Sequence, residues 1–491
     1  MDSRKNYVVA VDIGSSEVVI AVGSMAEGGT INIETVVAEP VVGVSAGMVD
    51  NSQTVAEALR RARARAEQEV GIAITDAYVT ISGRFVRCAR YTDHVFVEDS
   101  ENCISQYDLA ALRERMRNVK AADGEVIMEQ FPLCYKSDIG TELKNPVGCY
   151  SKQLSSTYNF ILCEHIAKDR LRRVFLDVGI KIREMYAGAA VMATSLVTAD
   201  EKEDGVAIVD IGSGVTDLAI YRGGVLCYVA SIPMGGSALN SDILGYDNNI
   251  PSRMVENLKK QCGSAVVELT PDDIIQVRNR GRAIKPIPRL NLAAVIEARM
   301  TDIAEYVWNE IRDAGYAKKL GAGIVLTGGG SNLKNVAELF HRITEQEVRV
   351  ACAEIGIATE SLEKVASPSY TMAISLLLRG AEAGPCPVGM PIPRPAEPKV
   401  EAKAEPASSA EPLQAPVEEQ PQPQPAPQPT PQIPQPTLKG DDDTYGDDIA
   451  DGDEDIKRSR GWFRGLGGKI KRAFTEAFPE PGEDVDGDDE Y

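Results

Sequence analysis

The sequence predicts an α/β fold with two similar lobes, and two copies of one glycine-rich hairpin carry that prediction. The clearer copy, residues 206–221, reads VAIVDIGSGVTDLAIY: an apolar strand that ends at Asp210, a tight turn, and a second strand. The other copy, residues 8–23, reads VVAVDIGSSEVVIAVG and has Asp12 in the matching position. One Asp-x-Gly hairpin is also typical of an ordinary turn. Two copies, about two hundred residues apart, indicate two half-domains that face each other across one nucleotide.

The turns of these hairpins suit a phosphate group. Glycine permits unusual backbone angles and close approach of the backbone to a ligand, and consecutive amides form a concavity that binds anions. Magnesium prefers carboxylate oxygens and keeps part of its hydration, so Asp12 and Asp210 are the predicted metal-binding residues, acting through water. The predicted phosphate-binding residues are those of the two turns and the threonine after the second: Gly14, Ser15, Ser16, Gly212, Ser213, Gly214 and Thr216.

A third glycine-rich stretch, residues 323–332, reads GIVLTGGGSN. Residues 324–326 predict a buried strand, and the glycines after it predict a turn that opens a helix near Ser331. A glycine turn at the start of a helix favours packing of a nucleotide's phosphate or ribose. The alternative is a plain connection between a strand and a helix. The predicted nucleotide contacts are Gly328, Gly329 and Gly330.

The order of these motifs resembles that of the actin and heat-shock chaperone superfamily. Within it, residues 5–380 resemble the FtsA family of bacterial division proteins, which tether the FtsZ ring to the membrane. Three further stretches match that family: NPVG at 145–148, YAGAA at 186–190 and AVIEAR at 294–299. The resemblance implies a two-lobed actin-like ATPase fold that binds ATP and Mg²⁺ between its lobes.

The resemblance also implies a domain organisation. In this family the small α+β insertion contacts neighbouring subunits and other division proteins. The expected parts are a first lobe (5–84, 166–204 and 365–384), the α+β insertion (85–165), a second lobe (205–231 and 321–364) with a helical insertion (232–320), a disordered linker (385–456), an amphipathic membrane-binding helix (457–478) and an acidic tail (479–491).

Two sites in the helical insertion follow from the resemblance. Glu256 and Lys259 lie three residues apart, hence on one helix face, and residues of this kind hold the adenosine in the superfamily. An exposed ion pair is the alternative. Family members receive the acidic FtsZ tail on a region that matches residues 285–300 here. Arg299 is the predicted contact because an acidic peptide needs a cation, although Arg299 is equally suited to a structural ion pair.

The first hairpin departs from the family pattern. FtsA relatives usually carry a lysine where this chain has Glu17. A lysine stabilises the β- and γ-phosphates by Coulomb attraction, whereas a carboxylate repels them unless it turns away or is neutralised by metal. No residue stands out as a general base for an attacking water. We therefore expect ATP binding with at most weak ATPase activity.

Composition limits the other possibilities. The chain of 491 residues has a net charge of −21, of which −12 falls in residues 386–491, so the body is only mildly acidic and nothing favours nucleic acid. Nine scattered cysteines without a Cys-x-x-Cys pair are typical of reduced core residues in a cytoplasm. Asp12 interrupts the only early apolar run, which argues against a signal peptide, and no apolar stretch reaches about 18 residues, the length that spans a membrane.

The C-terminal region predicts a tether and a membrane anchor. Residues 385–437 are rich in Pro, Gln, Ala and Glu, and residues 441–455 are acidic. Residues 458–478 then predict a helix that lies in a surface of anionic lipid, with bulky apolar residues on one face and cations elsewhere. Packing of this helix on the body or on a partner is the alternative. The predicted membrane contacts are Trp462, Phe463, Arg464, Leu466, Lys469, Ile470, Lys471, Arg472, Phe474 and Phe478.

The function implied by the resemblance is to polymerise on the cytoplasmic face of the inner membrane at the division septum. There the protein would hold FtsZ filaments, associate with itself and recruit later division proteins. The alternative is an actin-like ATPase of a pilus-assembly complex similar to PilM, which would not need the anchor. A chaperone would need a β-rich substrate domain after the cleft, a sugar kinase would need a catalytic carboxylate and a sugar pocket, and MreB-type actins lack the insertion at 85–165.

Overall fold

The computed structural model describes residues 6–26, 28–246, 250–277 and 285–391, and these residues belong to one compact unit. The predicted membrane contacts between Trp462 and Phe478, most of the predicted linker and the acidic tail lie outside the described residues. None of the helices in the described ranges is both long and apolar enough to cross a membrane.

The first lobe opens with a three-stranded antiparallel meander whose apolar residues are buried in the core. The first strand then pairs in parallel with β7, which also supports the tip of the site. The elements in chain order are β1 (Tyr7–Ile13), β2 (Glu17–Met25), β3 (Ile31–Pro40), β4 (Val44–Ser45), β5 (Met48–Val49), α1 (Ser52–Val70), β6 (Ile72–Ile74) and β7 (Asp76–Ile81).

Helix α1 shows how local sequence sets an element's ends. The Asn51 side chain accepts hydrogen bonds from the amides of Gln53 and Thr54, as expected of an asparagine N-cap. Gly71 adopts a left-handed conformation at the other end, with φ of 78°, which only glycine adopts without strain. Both residues are of the types that sequence patterns associate with the start and the end of a helix.

The segment after the first lobe's opening is a small α+β unit with its own hydrophobic core. Helix α2 packs on a sheet of order β10-β9-β11-β8, and Leu112, Met116 and Leu154 are fully buried between them. Ser105 and Asp108 form a capping box at the start of the helix. The elements are β8 (Val86–Phe96), α2 (Gln106–Arg117), β9 (Glu125–Lys136), β10 (Glu142–Leu143) and β11 (Gln153–Glu164).

The chain returns to the first lobe and completes its sheet in the order β12-β7-β1-β2-β3. Small residues follow the last strand of this sheet and form two short helices separated at Met192. A Cβ on Gly188 would overlap Ser82 Oγ, so a glycine is required for this close approach. The elements are α3 (His165–Val178), β12 (Lys181–Ala187), α4 (Gly188–Val191), α5 (Ala193–Leu196) and α6 (Ala199–Asp204).

The second lobe repeats the plan of the first. Its sheet, β15-β14-β13-β18-β19, again joins an antiparallel meander to two parallel strands. An insertion of helices and one small hairpin separates the meander from the parallel strands. The elements are β13 (Val206–Ile211), β14 (Thr216–Arg222), β15 (Val225–Ile232), α7 (Gly236–Tyr246), α8 (Ser252–Cys262), β16 (Ile274–Val277), β17 (Lys285–Pro288), α9 (Arg289–Asp313), β18 (Ile324–Thr327), α10 (Val336–Thr344) and β19 (Val348–Val350).

The helix that follows the triple-glycine turn begins later than predicted. Residues Gly329–Asn332 form a short 3-10 turn, and the α-helix starts only at Val336 rather than near Ser331. The reason is the backbone of Asn335, whose φ of 61° is left-handed and interrupts a continuous helix. The predicted combination of a glycine turn and a helix N-terminus is therefore wrong in detail.

The closing helix α11 (Thr371–Ala383) packs on β1 of the first lobe, and a last strand, β20 (Val388–Pro391), pairs with β6. The predicted linker begins at residue 385, but the chain stays on the lobe as far as Pro391. The amide of Cys386 donates to the Tyr7 carbonyl at 2.8 Å, and the Cys386 side chain is buried. Prolines and glycine around this cysteine hid the strand from sequence reasoning.

The two lobes share part of their core. Val206, Ile208, Ala219 and Tyr221 of the second lobe pack in the same apolar cluster as the first sheet. The Tyr221 hydroxyl also donates to the Ala190 carbonyl in α4 at 3.1 Å. This shared core brings the two glycine hairpins to the same place.

Candidate functional site

The two hairpins close in the same way. In the first, the Gly14 amide donates to the Glu17 carbonyl at 3.0 Å, and in the second, the Gly212 amide donates to the Val215 carbonyl at 2.9 Å. Both turns therefore leave their remaining amides along one short arc, which is the arrangement that binds anions.

The turns meet tip to tip. A Cβ added to Gly214 would overlap the Ser15 side chain, so only glycine allows this approach of the second hairpin to the first. The strand-end aspartates lie near one another as well. The negative charge of Asp12 contributes to the raised pKa values of both Asp210 and Asp217. The structure thus assembles in one cleft the residues predicted from two distant stretches.

Asp12 is stabilised by one neighbour. Burial raises the pKa of its carboxyl, and a hydrogen bond donated by the Thr80 hydroxyl partly offsets that rise. Thr80 lies on β7, the parallel neighbour of β1, so the sheet itself supplies this support.

Asp210 is the least compensated carboxylate of the site. Burial raises its pKa well above the ordinary value, and the charges of Asp217 and Asp12 raise it further. These are the only charges among the described residues that act on it appreciably. A Cβ on Gly328 would overlap the Asp210 carboxylate, so the triple-glycine turn lies directly against this aspartate.

Asp217 is a site residue that sequence reasoning missed. It lies on β14 directly opposite Asp210 in the ladder. Burial raises its pKa to about 6, although the Ser231 hydroxyl donates to it. The signal was present in the sequence as an aspartate directly before the apolar run of residues 218–220, at a position that is Val19 in the first hairpin.

The triple-glycine turn packs against the end of β13. A Cβ on Gly330 would overlap the Ile211 side chain, and the Gly328 amide donates to the Pro368 carbonyl at 3.2 Å. Gly329 has only Ser369 near its missing Cβ, at 3.5 Å. The turn therefore borders the cleft, with Gly329 as its least crowded position.

The second hairpin is buttressed by helix α7. The amides of Gly236 and Ser237 donate to the carbonyls of Gly212 and Ser213 at 2.9 and 2.8 Å. Thr216, a predicted ligand contact, is fully buried, and its hydroxyl donates to the Met234 carbonyl at 2.8 Å. This correction gives Thr216 a supporting role behind the hairpin, since a hydroxyl committed to the backbone does not reach the cleft.

Glu256 and Lys259 lie next to this buttress. Lys259 Nζ is 2.8 Å from the Glu256 carboxylate and donates to the Gly236 carbonyl at 2.9 Å, so the pair is held beside the second hairpin. Burial lowers the pKa of Lys259, and Glu256 opposes that change. Burial would raise the pKa of Glu256, but hydrogen bonds from Lys259 and Asn240 outweigh it and hold the pKa below its usual range. The two residues form an ion pair at the edge of the cleft rather than out in solvent.

Arg299 is engaged within the second lobe. It is 9% exposed, and its guanidinium makes a two-pronged ion pair with Asp242 and a further contact with Asp302 at 3.2 Å. The pKa of Arg299 is raised, chiefly by the hydrogen bond to Asp242. This geometry favours the structural alternative, because an acidic peptide would have to displace Asp242 to reach the guanidinium.

A metal would have to be held in part through water. In the described part of the chain, no three His, Cys, Asp or Glu side chains are grouped closely enough to surround a metal ion. The partly buried Asp12 and the buried Asp210 nevertheless offer carboxylates with raised pKa values, and a divalent cation would relieve their mutual repulsion. The chemistry of the donors therefore fits a hydrated magnesium ion.

Comparisons with known proteins agree with this architecture. The family model for the cell division protein FtsA matches residues 207–375. The cell division protein FtsA of Escherichia coli K12 is 29% identical over 388 residues, which cover 77% of this chain and 91% of that protein. FtsA of Pseudomonas aeruginosa is 28% identical over 378 residues, covering 76% and 89%.

Among solved structures, a PilM–PilN type IV pilus biogenesis complex matches with a TM-score of 0.52 at 15% identity, covering 76% of this chain and 98% of that chain. At this identity the likeness concerns the fold alone, and it confirms the two-lobed actin-like α/β fold predicted from the hairpins. The matched family model and the long similarity to curated relatives confirm the resemblance predicted from the motifs: over about three quarters of its length, the chain is similar to the FtsA family of cell division proteins.

Proposed function

We propose that this protein binds ATP with Mg²⁺ between its two glycine hairpins and acts in bacterial cell division as a membrane-bound adaptor for FtsZ. The observation that carries the nucleotide proposal is the meeting of Asp12, Asp210 and Asp217 beside two opposed glycine turns. Buried carboxylates without a nearby cation destabilise the ligand-free protein, so their presence at this point indicates a bound cation.

Each part of the nucleotide has a candidate partner. Amides of the two turns would bind the phosphates, while Asp12 and Asp210 would hold the magnesium ion through water. The ion pair of Glu256 and Lys259 lies beside Gly236, whose amide bonds to the second hairpin, and the triple-glycine turn packs against Asp210 and Ile211 of that hairpin. These two elements would hold the adenosine. When bound, magnesium would neutralise phosphate charge.

The site supports binding better than hydrolysis. Asp217 lies deep beside Asp210 and has a pKa of about 6, but it is fully buried and bonded to Ser231. Its carboxylate is suited to orienting the waters of a bound metal rather than to removing a proton from an attacking water. We therefore propose weak ATPase activity at most.

The proposed division role rests on the similarity to FtsA relatives. The matched relatives are cell division proteins, and this chain covers about nine-tenths of their length. By extension, we propose self-association into filaments, capture of the FtsZ tail and attachment to anionic lipid through residues 457–478, at the cytoplasmic face of the inner membrane. Recruitment of later division proteins would use the inserted α+β unit.

Calorimetry with ATP and magnesium tests the nucleotide proposal. The parent protein should bind ATP, and Asp210→Ala should bind it more weakly because a cation-organising carboxylate is lost. Equal affinity of mutant and parent would remove Asp210 from the site. An absence of binding by the parent would refute the nucleotide proposal as a whole.

A pull-down with the terminal peptide of FtsZ, compared with a PilN peptide, separates the division role from the pilus alternative. Capture of the PilN peptide instead would favour the alternative. Arg299→Glu tests the predicted contact, with Asp242→Asn as its matched control. If Arg299 contacts the peptide, Arg299→Glu alone should reduce capture and leave ATP binding intact. If ATP binding falls in both variants, Arg299 is structural.

Sedimentation with anionic liposomes tests the anchor. Truncation after Gly440 should leave a folded, ATP-binding body that no longer sediments, because every strongly amphipathic residue of the tail follows that point. Phe463→Asp combined with Phe474→Asp should act likewise by placing charge on the inserted face. Removal of residues 480–490 should strengthen binding at low salt, with a gain that shrinks as salt screens it. Undiminished sedimentation of the truncated body would show that the anchor lies elsewhere.

A further inference from the structure

A strained turn of the first lobe lies against the cleft. Strands β4 and β5 pair with Ser45 opposite Met48, and the two residues between them, Ala46 and Gly47, have φ values of 47° and 83°. Two consecutive positive φ angles define the mirror-image hairpin turn that favours asparagine or glycine at its first position. An alanine there is unfavourable, because its Cβ clashes in the left-handed region.

The turn is held at the point where the two glycine hairpins meet. A Cβ on Gly214 would lie 3.3 Å from the Ala46 nitrogen, besides overlapping Ser15. No group among the described residues accepts a hydrogen bond from the Ala46 amide. On its other side, Gly47 is pressed so closely against the Ser82 carbonyl that any side chain at this position would overlap it. The turn therefore holds an unpaired amide donor next to the predicted phosphate site.

Contacts of the second hairpin show at which end of the predicted phosphate site this donor lies. The carbonyl of Gly212, at one end of the turn, accepts from the Gly236 amide, and Gly236 in turn lies beside Lys259, where the adenosine is proposed to bind. Gly214, at the other end, touches Ser15 and Ala46. Ala46 thus lies at the end of the phosphate arc that is farther from the adenosine side.

We infer that the Ala46 amide donates a hydrogen bond to the terminal phosphate of the bound nucleotide and so favours ATP over ADP. This inference rests on the proposed ATP site. The Ala46 amide would supply a donor at the end of the phosphate chain, where the first hairpin carries Glu17 instead of a cation. Strain in a short turn is retained at binding sites where it fixes a donor in place before the ligand arrives.

The turn is also connected to the outer helices of the first lobe. The amides of Asp50 and Asn51 donate to the Gly43 carbonyl at 2.8 and 3.1 Å, and Asn51 caps α1. Arg170 of α3 donates to the Val49 carbonyl at 3.2 Å. A phosphate that engages Ala46 would therefore restrain the same short loop that leads into the N-terminus of α1 and contacts Arg170 of α3.

The test compares Ala46→Asp with Ala46→Asn in the full-length protein. Asn and Asp have nearly the same shape, and both tolerate a left-handed backbone, so the two variants differ essentially in one charge. Beside the terminal phosphate, that charge should weaken ATP binding by about tenfold relative to Ala46→Asn. ADP binding should change by no more than about threefold, since screening and distance reduce the effect at the β-phosphate.

Asn102→Asp is the matched control, because Asn102 also has a left-handed backbone, with φ of 60°, but lies in the inserted α+β unit. Calorimetry with ATP and with ADP gives the affinities, and thermal unfolding verifies that each variant is folded. If the parent binds ATP but the Asp and Asn variants at position 46 bind it equally well, the inference is overturned. An equal loss for ATP and ADP would also overturn it, since the turn would then act on the cleft in general. Failure of the parent to bind either nucleotide would instead refute the proposed ATP site.

Discussion

The two glycine hairpins have the same backbone but differ in the chemistry that surrounds it. In the ladder of the first hairpin, Asp12 faces Val19, whereas in the second, Asp210 faces Asp217. The carbonyl that closes the first turn belongs to Glu17, and the second turn has Val215 at that position. The repeated backbone supplies two arcs of amides, and the side chains make the halves unequal.

The inequality extends to what supports each hairpin. Asp12 receives a hydrogen bond from Thr80 of its own sheet, while the charges of the described residues that act on Asp210 are those of other carboxylates, and the glycine turn lies against it. Helix α7 donates hydrogen bonds to the second hairpin. The first hairpin and the Ala46 turn both lie against Gly214. From this difference we expect the second hairpin to contribute more to metal binding. Substitutions in the turn of the first hairpin should depend more on which phosphates the nucleotide carries.

Replacement of the two strand-end aspartates should give the largest difference. Asp210→Asn should weaken binding of ATP with magnesium by about a hundredfold, the scale of one lost charge-assisted hydrogen bond. Asp12→Asn should weaken it by only about tenfold, because Thr80 keeps that side chain in place. Calorimetry on both variants gives the ratio, and equal losses would show that the two hairpins share the metal evenly.

In the absence of ligand, the same two substitutions should stabilise the protein instead of weakening a function. Burial and like charges disfavour ionised Asp210, so Asp210→Asn should raise the melting temperature of the nucleotide-free protein at neutral pH. Asp12→Asn should raise it less, since Thr80 already stabilises the carboxylate. A lower melting temperature for Asp210→Asn would mean that a partner compensates its charge.

The comparison of the hairpins also shows which site residues can be predicted from the sequence. The aspartates and glycines of both turns were predicted because short motifs specify local backbone and chemistry together. Thr216 was misassigned because its hydroxyl turns to Met234, a contact 18 residues away that no local pattern encodes. Ion pairing of Arg299 with Asp242 likewise depends on how α7 and α9 pack, which the spacing of residues within one helix does not reveal.

Asp217 provides a prediction in pH. Its pKa is about 6 in the folded protein and close to 3.8 in the unfolded chain, so the folded state binds more protons between these values. The free energy of unfolding of the nucleotide-free protein should therefore fall by about 2 kcal/mol as pH rises from about 4 to about 7 through this group. Denaturant unfolding at several pH values measures that slope.

Asp217→Asn should flatten this part of the profile, because the amide does not titrate. The matched control is Asp242→Asn, which removes an aspartate from the same lobe at a site where Arg299 pairs with it. If Asp217→Asn flattens the profile no more than Asp242→Asn does, Asp217 does not titrate in this range, and the second hairpin carries one functional carboxylate rather than two.

The smallest expected effect concerns the turn of the first hairpin, where Glu17 occupies the place of the family's lysine. Glu17→Lys should tighten ATP binding by about fivefold if the side chain faces the phosphates, through Coulomb attraction in a partly solvated cleft. Glu17→Gln separates the two contributions, since it removes the negative charge without adding a positive one, and should give about half of the gain in free energy. ADP serves as the second ligand: a gain for ATP that exceeds the gain for ADP would place the side chain near the terminal phosphate, on the same side as Ala46. Unchanged affinity in both variants would mean that Glu17 points away from the cleft, and the difference between the hairpins would then lie in their aspartates alone.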